Sequence, residues 1–286
     1  MTTQSNNSIP SWTLSGFGDE IDEDPVVQIA VLLALGASYL EVRSAWGVNV
    51  VDLDDIQLDR LSALLTDAGM GVSAVASPIG KVDVSDPIEN ELRRLGAAIN
   101  AAQRLGTRYI RIFSFYYPDG TEPADIRDQV ISHLRALAAV AEEADMVLLH
   151  ENEKHIYGDT PERVHDLITA VDSPALKVAW DSANFVQVGV KRPFTEGYEL
   201  LRPHLAYLQV KDAKADTGEV VPAGEGDGEL VETIAALRDD GYTGFASLEP
   251  HLAVAGELGG FSGPGSFGRA ARAFAALTNS QGVNLV

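Results

Sequence analysis

Two kinds of hydrophobic pattern alternate along the chain. Short runs rich in β-branched and aromatic residues predict strands, and longer segments with an apolar residue at every third or fourth position predict helices. The predicted strands lie at residues 14–17, 39–43, 72–76, 109–113, 147–151, 177–181, 207–211 and 245–249. The predicted helices lie at about 25–35, 55–68, 88–105, 124–144, 161–171, 195–202, 229–240 and 266–278.

Glycine marks the joints between several helices and the strands that follow them. Gly36, Gly69, Gly106 and Gly241 each stand where a helix should end, and glycine readily takes the left-handed conformation found there. Eight strand–helix units in about 250 residues, with no interior linker, predict a single-domain (β/α)8 TIM barrel. We place this domain at residues 11–286, after a disordered polar tail at 1–10. The rival fold, a doubly wound open sheet, would carry a Gly-rich phosphate turn after its first strand, and none is present.

Composition and charge narrow the class of protein. Hydrophobic residues make up 45% of the chain, yet no apolar run reaches the roughly 18 residues of a membrane span, and the polar N-terminus lacks the pattern of a signal peptide. The absence of cysteine excludes disulfides and thiolate sites. The net charge of −21 argues against nucleic acid and anionic membranes as partners. We therefore expect a cytoplasmic protein.

Polar residues end the last four predicted strands. Glu151, Asp181, Gln209 and Glu249 come from strands five to eight, and active sites of TIM barrels lie at the carboxyl ends of the strands. Three carboxylates can lie close together only with a counter-charge. A divalent cation supplies it, and oxygen ligands favour Mn²⁺ or Mg²⁺. The alternative is that each acid pairs with a basic side chain.

Several basic and aromatic residues are predicted to line the same opening. Lys211 should point inward, where it either contacts substrate or pairs with Asp181 or Glu249. Arg43 and Arg111 carry the same two alternatives, substrate oxygens or an internal ion pair. We also expect His251 and Trp46 near the rim. The Gly-rich segment 223–230 is predicted to be a flexible loop that could bring Glu225 to the site, and residues 253–266 to be a mobile lid or an interface loop.

Five segments in order carry a family resemblance: LLHENEKHIYGDTPE, VAWDSANF, YLQVKDA, VPAGEGDGEL and GFASLEPH. Together they resemble the sugar phosphate isomerase/epimerase family, the xylose isomerase-like TIM barrels, over nearly the whole chain. The resemblance implies one divalent metal held by Glu, Asp, His and Glu. Here these positions are Glu151, Asp181, Gln209 and Glu249. Gln209 departs from the family histidine and is a weaker, neutral ligand, which leaves the metal open between Mn²⁺, Mg²⁺ and other divalent ions.

Two further departures concern substrate recognition. Glu153 stands where many relatives have a substrate-contacting histidine, and Asn184 stands where a histidine is frequent. A carboxylate at position 153 would change which substrate oxygen is recognised.

The resemblance also implies a chemistry. In this family two metal-bound glutamates, here Glu151 and Glu249, act as base and acid beside a metal-polarised carbonyl, through an enediolate. The leading prediction is therefore a metal-dependent isomerase or epimerase of a keto-sugar or polyol. Returning the proton to the opposite face gives an epimer, and moving it to the neighbouring carbon gives an isomer.

Three alternatives remain at this point. The first is a lyase that cleaves 3-keto glycosides by elimination with the same metal and base. The second is a non-catalytic sugar-binding barrel. The third, an apurinic endonuclease, is disfavoured by only six histidines and the charge of −21. A small sugar is the expected partner, and a homo-oligomer is left open.

Overall fold

Eight parallel strands curl into a ring in the computed structural model, which describes residues 9–256 and 259–286, with the backbone alone for 254–260. The ring strands, β1 to β8, are Ser11–Gly16, Tyr39–Val42, Gly71–Ala76, Tyr109–Ile112, Val147–Glu151, Leu176–Asp181, Leu205–Val210 and Phe245–Leu248. The expected tail at 1–10 falls almost entirely outside the described residues. The strands pair as parallel neighbours from β2 through β8 to β1, with a shift of register in the β2–β3 and β6–β7 pairs. The predicted TIM-barrel fold is confirmed.

The ring closes weakly between β1 and β2. Only the bridge between Phe17 and Glu41 joins these two strands among the described residues. At the opposite end of β1, the short strand Asn284–Leu285 pairs with Ser11 and Trp12 and extends the sheet to nine strands. The C-terminal residues thus support the seam that the ring strands leave open.

Helices surround the ring, and their ends carry local sequence signals. Helices α1 to α9 are Pro25–Ala34, Asp55–Ala68, Ile88–Leu105, Pro123–Glu143, Pro161–Val171, Ser182–Gln187, Pro193–Leu201, Leu230–Asp239 and Gly263–Ser280. Asp54 and Gln57 form a reciprocal capping box at the start of α2. Gly69 and Gly106 end α2 and α3 with φ of 66° and 75°, as predicted for these joints. No described helix is both long and apolar enough to cross a bilayer.

The barrel interior is polar toward the carboxyl ends of the strands and apolar deeper inside. Ala74, Leu149, Ala179 and Tyr207 form a buried cluster within the ring. The hydroxyl of Tyr207 donates to Glu41 Oε2 at 2.8 Å, where the polar region begins. Gln209 Nε2 also donates to Glu41, so Tyr207, Glu41 and Gln209 form one hydrogen-bonded group.

The Gly-rich segment after β7 is anchored, so the prediction of a flexible loop is wrong. The buried Asp212 carboxylate accepts hydrogen bonds from the backbone N–H groups of Ala213, Gly224, Gly226 and Gly228, at 2.9–3.0 Å. Glu225 is exposed and pairs with Arg269 at the surface, because the anchored backbone turns its side chain away from the ring.

Candidate active site

Three buried carboxylates meet at the carboxyl ends of the strands. Glu151 ends β5, Asp181 ends β6, and Glu249 follows β8. Ligand oxygens of the three lie within 4.8 Å of one another. Gln209 pairs in register with Asp181 on the neighbouring strand. Strand alternation therefore brings the four predicted residues to one rim.

Basic side chains pair with these acids, as the alternative interpretation had it. Lys211 Nζ lies 2.9 Å from Asp181 Oδ2 and 3.0 Å from Glu249 Oε2. Arg111 Nη1 lies 3.0 Å from Glu151 Oε2. Both cations are nearly fully buried, so the carboxylates are partly neutralised by the chain itself.

Arg43 approaches the same carboxylates from β2. Its Nε lies 2.7 Å from Asp19 Oδ2, and its Nη1 lies 3.3 Å from Glu249 Oε1. The Phe17 ring lies beneath the guanidinium groups of Arg43 and Arg111, at 5.0 and 5.4 Å from the ring centroid. Stacking on an aromatic face orients both cations toward the rim.

The site nevertheless holds more acids than bases. The buried carboxyl groups around it are Glu20, Glu41, Glu151, Asp181 and Glu249, and the buried cations are Arg43, Arg111 and Lys211. Burial raises the pKa of Glu20 and Glu151 above the usual range, and raises that of Glu41 and Asp181 to about 7. Glu249 differs: burial raises its pKa, but Lys211, His251 and Arg43 outweigh that effect and hold it well below 4.5.

This donor set fits a divalent cation. Gln209 Nε2 donates to Glu41 Oε1 at 3.0 Å, and Gln209 Oε1 is buried without a hydrogen-bond partner among the described residues. A buried acceptor without a donor is costly, and a cation would satisfy it. The excess of buried carboxyl groups favours the same ion. Glu151, Asp181 and Glu249 are thus able to hold a hard metal ion, and Gln209 Oε1 on the neighbouring strand is a candidate fourth oxygen.

Two asparagines hold the carboxylates in place, and the sequence pointed to only one of them. Asn152 exchanges two hydrogen bonds with the Asp181 backbone, at 2.8 and 3.0 Å. Asn184 donates from Nδ2 to Glu151 Oε1 at 3.2 Å, and its N–H donates to Asp181 Oδ1 at 2.9 Å. Asn184 therefore orients both Glu151 of β5 and Asp181 of β6.

A small cavity opens beside Glu151 and Glu249. It is lined by Arg43, Asn49, Ala76, Pro78, Lys81, Arg111, Glu151, Glu153, Glu249 and His251. Predicted residues Arg43, Arg111, Glu153 and His251 thus share one cavity. Trp46 is not among its lining residues, since its ring lies under Arg60, 4.8 Å from the guanidinium carbon.

Lys81 also lines the cavity. Its Nζ lies 3.2 Å from Glu153 Oε2 and 4.2 Å from the centroid of the Phe113 ring. A third of the Lys81 side chain is exposed, so this pair lies at the mouth rather than at the base of the cavity. Lys81 and Glu153 together present a donor and an acceptor to whatever enters.

His150, next to Glu151, does not line the cavity, because alternate side chains of a strand point to opposite faces. The ring is fully buried, and neither of its nitrogens has a hydrogen-bond partner among the described residues. Burial lowers its pKa to about 3. Unfolded histidine takes up a proton below about pH 6.5, whereas folded His150 stays neutral until about pH 3. Stability from this group is therefore lost as the pH falls through that window.

Replacing His150 with Phe should reduce the acid sensitivity of the fold. Between about pH 7.5 and 5, the free energy of unfolding of His150→Phe should fall by about 2 kcal/mol less than that of the native chain. Urea denaturation at both pH values, with chelator present, measures this difference. His155→Phe, at an exposed position, is the control. If the free energy of unfolding changed equally with pH in His150→Phe and in the native chain, the prediction would be contradicted.

The ring of parallel strands and its rim of buried carboxylates define a single (β/α)8 barrel with an acidic site at the carboxyl end. The sequence model of the xylose isomerase-like TIM barrel family matches residues 29–273. The chain belongs to this family.

Two curated proteins are similar in sequence. One is the 2-epi-5-epi-valiolone 7-phosphate 2-epimerase of an Actinoplanes species, 28% identical over 222 residues, 71% of this chain and 77% of the relative. The other is an uncharacterised protein of Methanocaldococcus jannaschii, 24% identical over 157 residues. That match spans only about half of each protein, 53% of this chain and 54% of the relative.

Solved structures share the fold over nearly the full chain. A probable 3-DHS dehydratase of Bacillus anthracis superposes with a TM-score of 0.73 at 18% identity, covering 93% of this chain and 98% of its own. A D-psicose 3-epimerase of Clostridium cellulolyticum gives 0.71 at 16% identity, with 94% and 98% covered. A xylose isomerase-like barrel protein of Mycobacterium smegmatis in complex with magnesium gives 0.68 at 19% identity, with 98% and 99% covered.

Proposed function

We propose that the chain is a divalent-metal-dependent epimerase or isomerase of a keto-sugar or a cyclic keto-polyol. One observation carries the proposal. Glu151 and Glu249 come from strands separated by two others, line one cavity, and have carboxylate oxygens within 4.8 Å of each other. Two opposed carboxylates are what a reaction needs if one group removes a proton from carbon and another returns it.

The metal would be held by Glu151, Asp181, Glu249 and the amide oxygen of Gln209. Bound there, Mn²⁺ or Mg²⁺ would supply Lewis acidity to a substrate carbonyl. The all-oxygen donor set supports this choice, and the similar barrel from Mycobacterium smegmatis was solved with magnesium.

The neighbouring charges and the degree of burial give Glu249 and Glu151 different roles in proton transfer. The lowered pKa of Glu249 keeps it ionised, and it therefore starts as the proton acceptor. Burial raises the pKa of Glu151, so Glu151 would be the group that returns the proton. Arg111 and Lys211 lie close enough to stabilise negative charge on the substrate oxygens. Glu153, Arg43 and His251 would bind the remaining hydroxyl groups.

The Actinoplanes relative supports the choice of substrate class. Its name describes epimerisation of a phosphorylated cyclic ketone, at 28% identity over most of this chain. Four basic side chains, Arg43, Lys81, Arg111 and His251, line the cavity, although nearby acids pair with them. We therefore include phosphorylated and unphosphorylated ketones among the candidate substrates.

Metal content and deuterium uptake test the proposal together. The native chain should bind one Mn²⁺ or Mg²⁺ per molecule by elemental analysis. It should also incorporate solvent deuterium at the carbon next to the carbonyl of its keto-sugar. Glu151→Gln and Asp181→Asn should each weaken metal binding, since each replaces a carboxyl oxygen ligand with an amide.

Two outcomes would contradict the proposed metal-dependent epimerase or isomerase activity. A native chain that takes up no metal, even after reloading, would remove the metal-dependent mechanism. Release of an aglycone from a 3-keto glycoside, without a labelled epimer, would assign the same residues to an elimination.

A further inference from the structure

Glu20 is a buried carboxylate that plays no part in the proton transfer described above. It lies in the one-turn helix Gly18–Glu20 that follows β1, and its side chain is fully buried. Its Oε2 accepts a hydrogen bond from the His251 backbone N–H at 2.9 Å and one from the Ser262 hydroxyl at 2.7 Å. One side chain of the first loop therefore holds two residues of the last loop.

These two residues flank the segment that follows β8. The Ser262 N–H donates to the Glu20 carbonyl oxygen at 2.9 Å, and the Leu252 N–H donates to Ser262 Oγ at 3.0 Å. Between them, the backbone pairs as the antiparallel strands Ala253–Gly256 and Gly259–Phe261. Both ends of segment 251–262 are thus fastened to Glu20.

The hydrogen bonds to Glu20 also hold the His251 side chain against the site. His251 has a φ of 46°, a left-handed conformation that is strained for a residue other than glycine. Its Nε2 lies 3.2 Å from Glu20 Oε1 and 3.3 Å from Glu249 Oε1. The backbone bond from His251 to Glu20 maintains the strained conformation, and that conformation places the imidazole between the two carboxylates.

We propose that Glu20 is a positioning residue, a latch that holds residues 251, 252 and 262 and acts through His251 to orient Glu249. The inference rests on the proposed function, because it gives a purpose to the orientation of Glu249. It assigns catalytic importance to a carboxylate that does not line the cavity and that holds His251 against Glu249.

The same three side chains could be taken for a second metal site, since their ligand atoms also lie within 4.8 Å of one another. The surrounding charges oppose that interpretation. Glu249 Oε1 already faces Arg43 Nη1 at 3.3 Å, so a second cation would lie beside a guanidinium group. Glu20 Oε2 is also occupied by two donors.

Hydrogen exchange and kinetics on Glu20→Gln test the latch. The amide keeps the shape of the side chain but replaces one acceptor oxygen with a donor. Exchange at the His251 and Leu252 amides should rise by about tenfold or more. The Mn²⁺ affinity should weaken by about tenfold. The kcat should fall by about 10- to 100-fold while KM stays within about threefold of native.

Two further variants make the test specific. Ser262→Ala removes a single latch contact and should give the same changes on a smaller scale, which keeps the test usable if Glu20→Gln folds poorly. Glu229→Gln is the matched control. Glu229, at the start of α8, likewise joins two elements, accepting from the N–H and hydroxyl of Thr195 in α7 at 2.9 Å, but it lines no part of the cavity. It should leave exchange at 251–252, metal affinity and kcat at native values.

The exchange and metal measurements need no substrate, so they decide the latch even if no keto-sugar is turned over. Native exchange at residues 251–252 in Glu20→Gln would overturn it. Faster exchange with native kcat and native metal affinity would overturn the positioning role. Two Mn²⁺ per native chain, with one lost in Glu20→Gln, would also overturn it, because Glu20 would then be a ligand.

Discussion

Replacing Glu151 with Gln is expected to lower the rate of substrate deuterium exchange by about a thousandfold. The substitution removes one of the two opposed proton-transfer groups, and the amide that replaces it cannot exchange a proton with carbon at neutral pH. Arg111 keeps an acceptor, since the Gln oxygen can still receive the bond now made to Glu151 Oε2 at 3.0 Å. With Mn²⁺ in excess, the loss should therefore appear in kcat. Isotope exchange followed by proton NMR measures it directly.

Glu153→Gln is the control variant for Glu151→Gln. Glu153 lines the same cavity two residues away but lies at the mouth, paired with Lys81. We expect it to raise KM more than it lowers kcat, since a recognition contact is removed and not a proton-transfer group. If Glu151→Gln retained more than about a tenth of native kcat at full metal occupancy, the role of Glu151 in proton transfer would be refuted.

Replacing Lys211 with Met is expected to make the fold dependent on its metal. Lys211 Nζ lies within 3.0 Å of both Asp181 and Glu249, and all three side chains are nearly fully buried. Removing one partner of a buried ion pair leaves uncompensated charge, at a cost of about 3 kcal/mol or more. A bound divalent cation would supply the missing charge. Chelator should therefore lower the free energy of unfolding of Lys211→Met far more than that of the native chain.

Denaturant unfolding of both proteins, with excess Mn²⁺ and with chelator, measures this difference. Lys81→Met is the control, because Lys81 also pairs with a carboxylate but is one-third exposed, and such pairs contribute little. Equal effects of chelator on Lys211→Met and on the native chain would show that no metal neutralises Asp181 and Glu249.

Local patterns are enough to predict most of the fold. The strand–helix alternation and the joints at Gly69 and Gly106 are encoded within a few residues of each element, so the amino-acid sequence alone reveals them. The short helix Ser182–Gln187 and the two-residue strands were not predicted, because they lack the length to show a period. The four residues at the strand ends were found for a geometric reason, since parallel strands of a barrel bring their carboxyl ends to one rim.

The pairing of charges could not be predicted in the same way. Arg43 contacts Glu249 across 206 positions of sequence, and Glu20 contacts Ser262 across 242. Nothing in the segment GFGDEI distinguishes a latch carboxylate from a solvated one, because its partners belong to the last loop. The anchored loop at Asp212 was missed for a related reason. Glycines suggest mobility unless an acceptor gathers their N–H groups, and that acceptor lies 12 to 16 residues earlier.

The seam of the barrel has a consequence for synthesis on the ribosome. The first strand is made early, but its partners are β8 and the residues at 284–286, where Val286 accepts from Leu14 and donates to Trp12. Six ring strands can pair with a neighbour as each is made, whereas β1 must wait for residues 245–248 and 284–286. During that interval its edge is an exposed template for other chains. The nascent chain is thus exposed to aggregation at β1 until its partners more than 200 residues later have been translated.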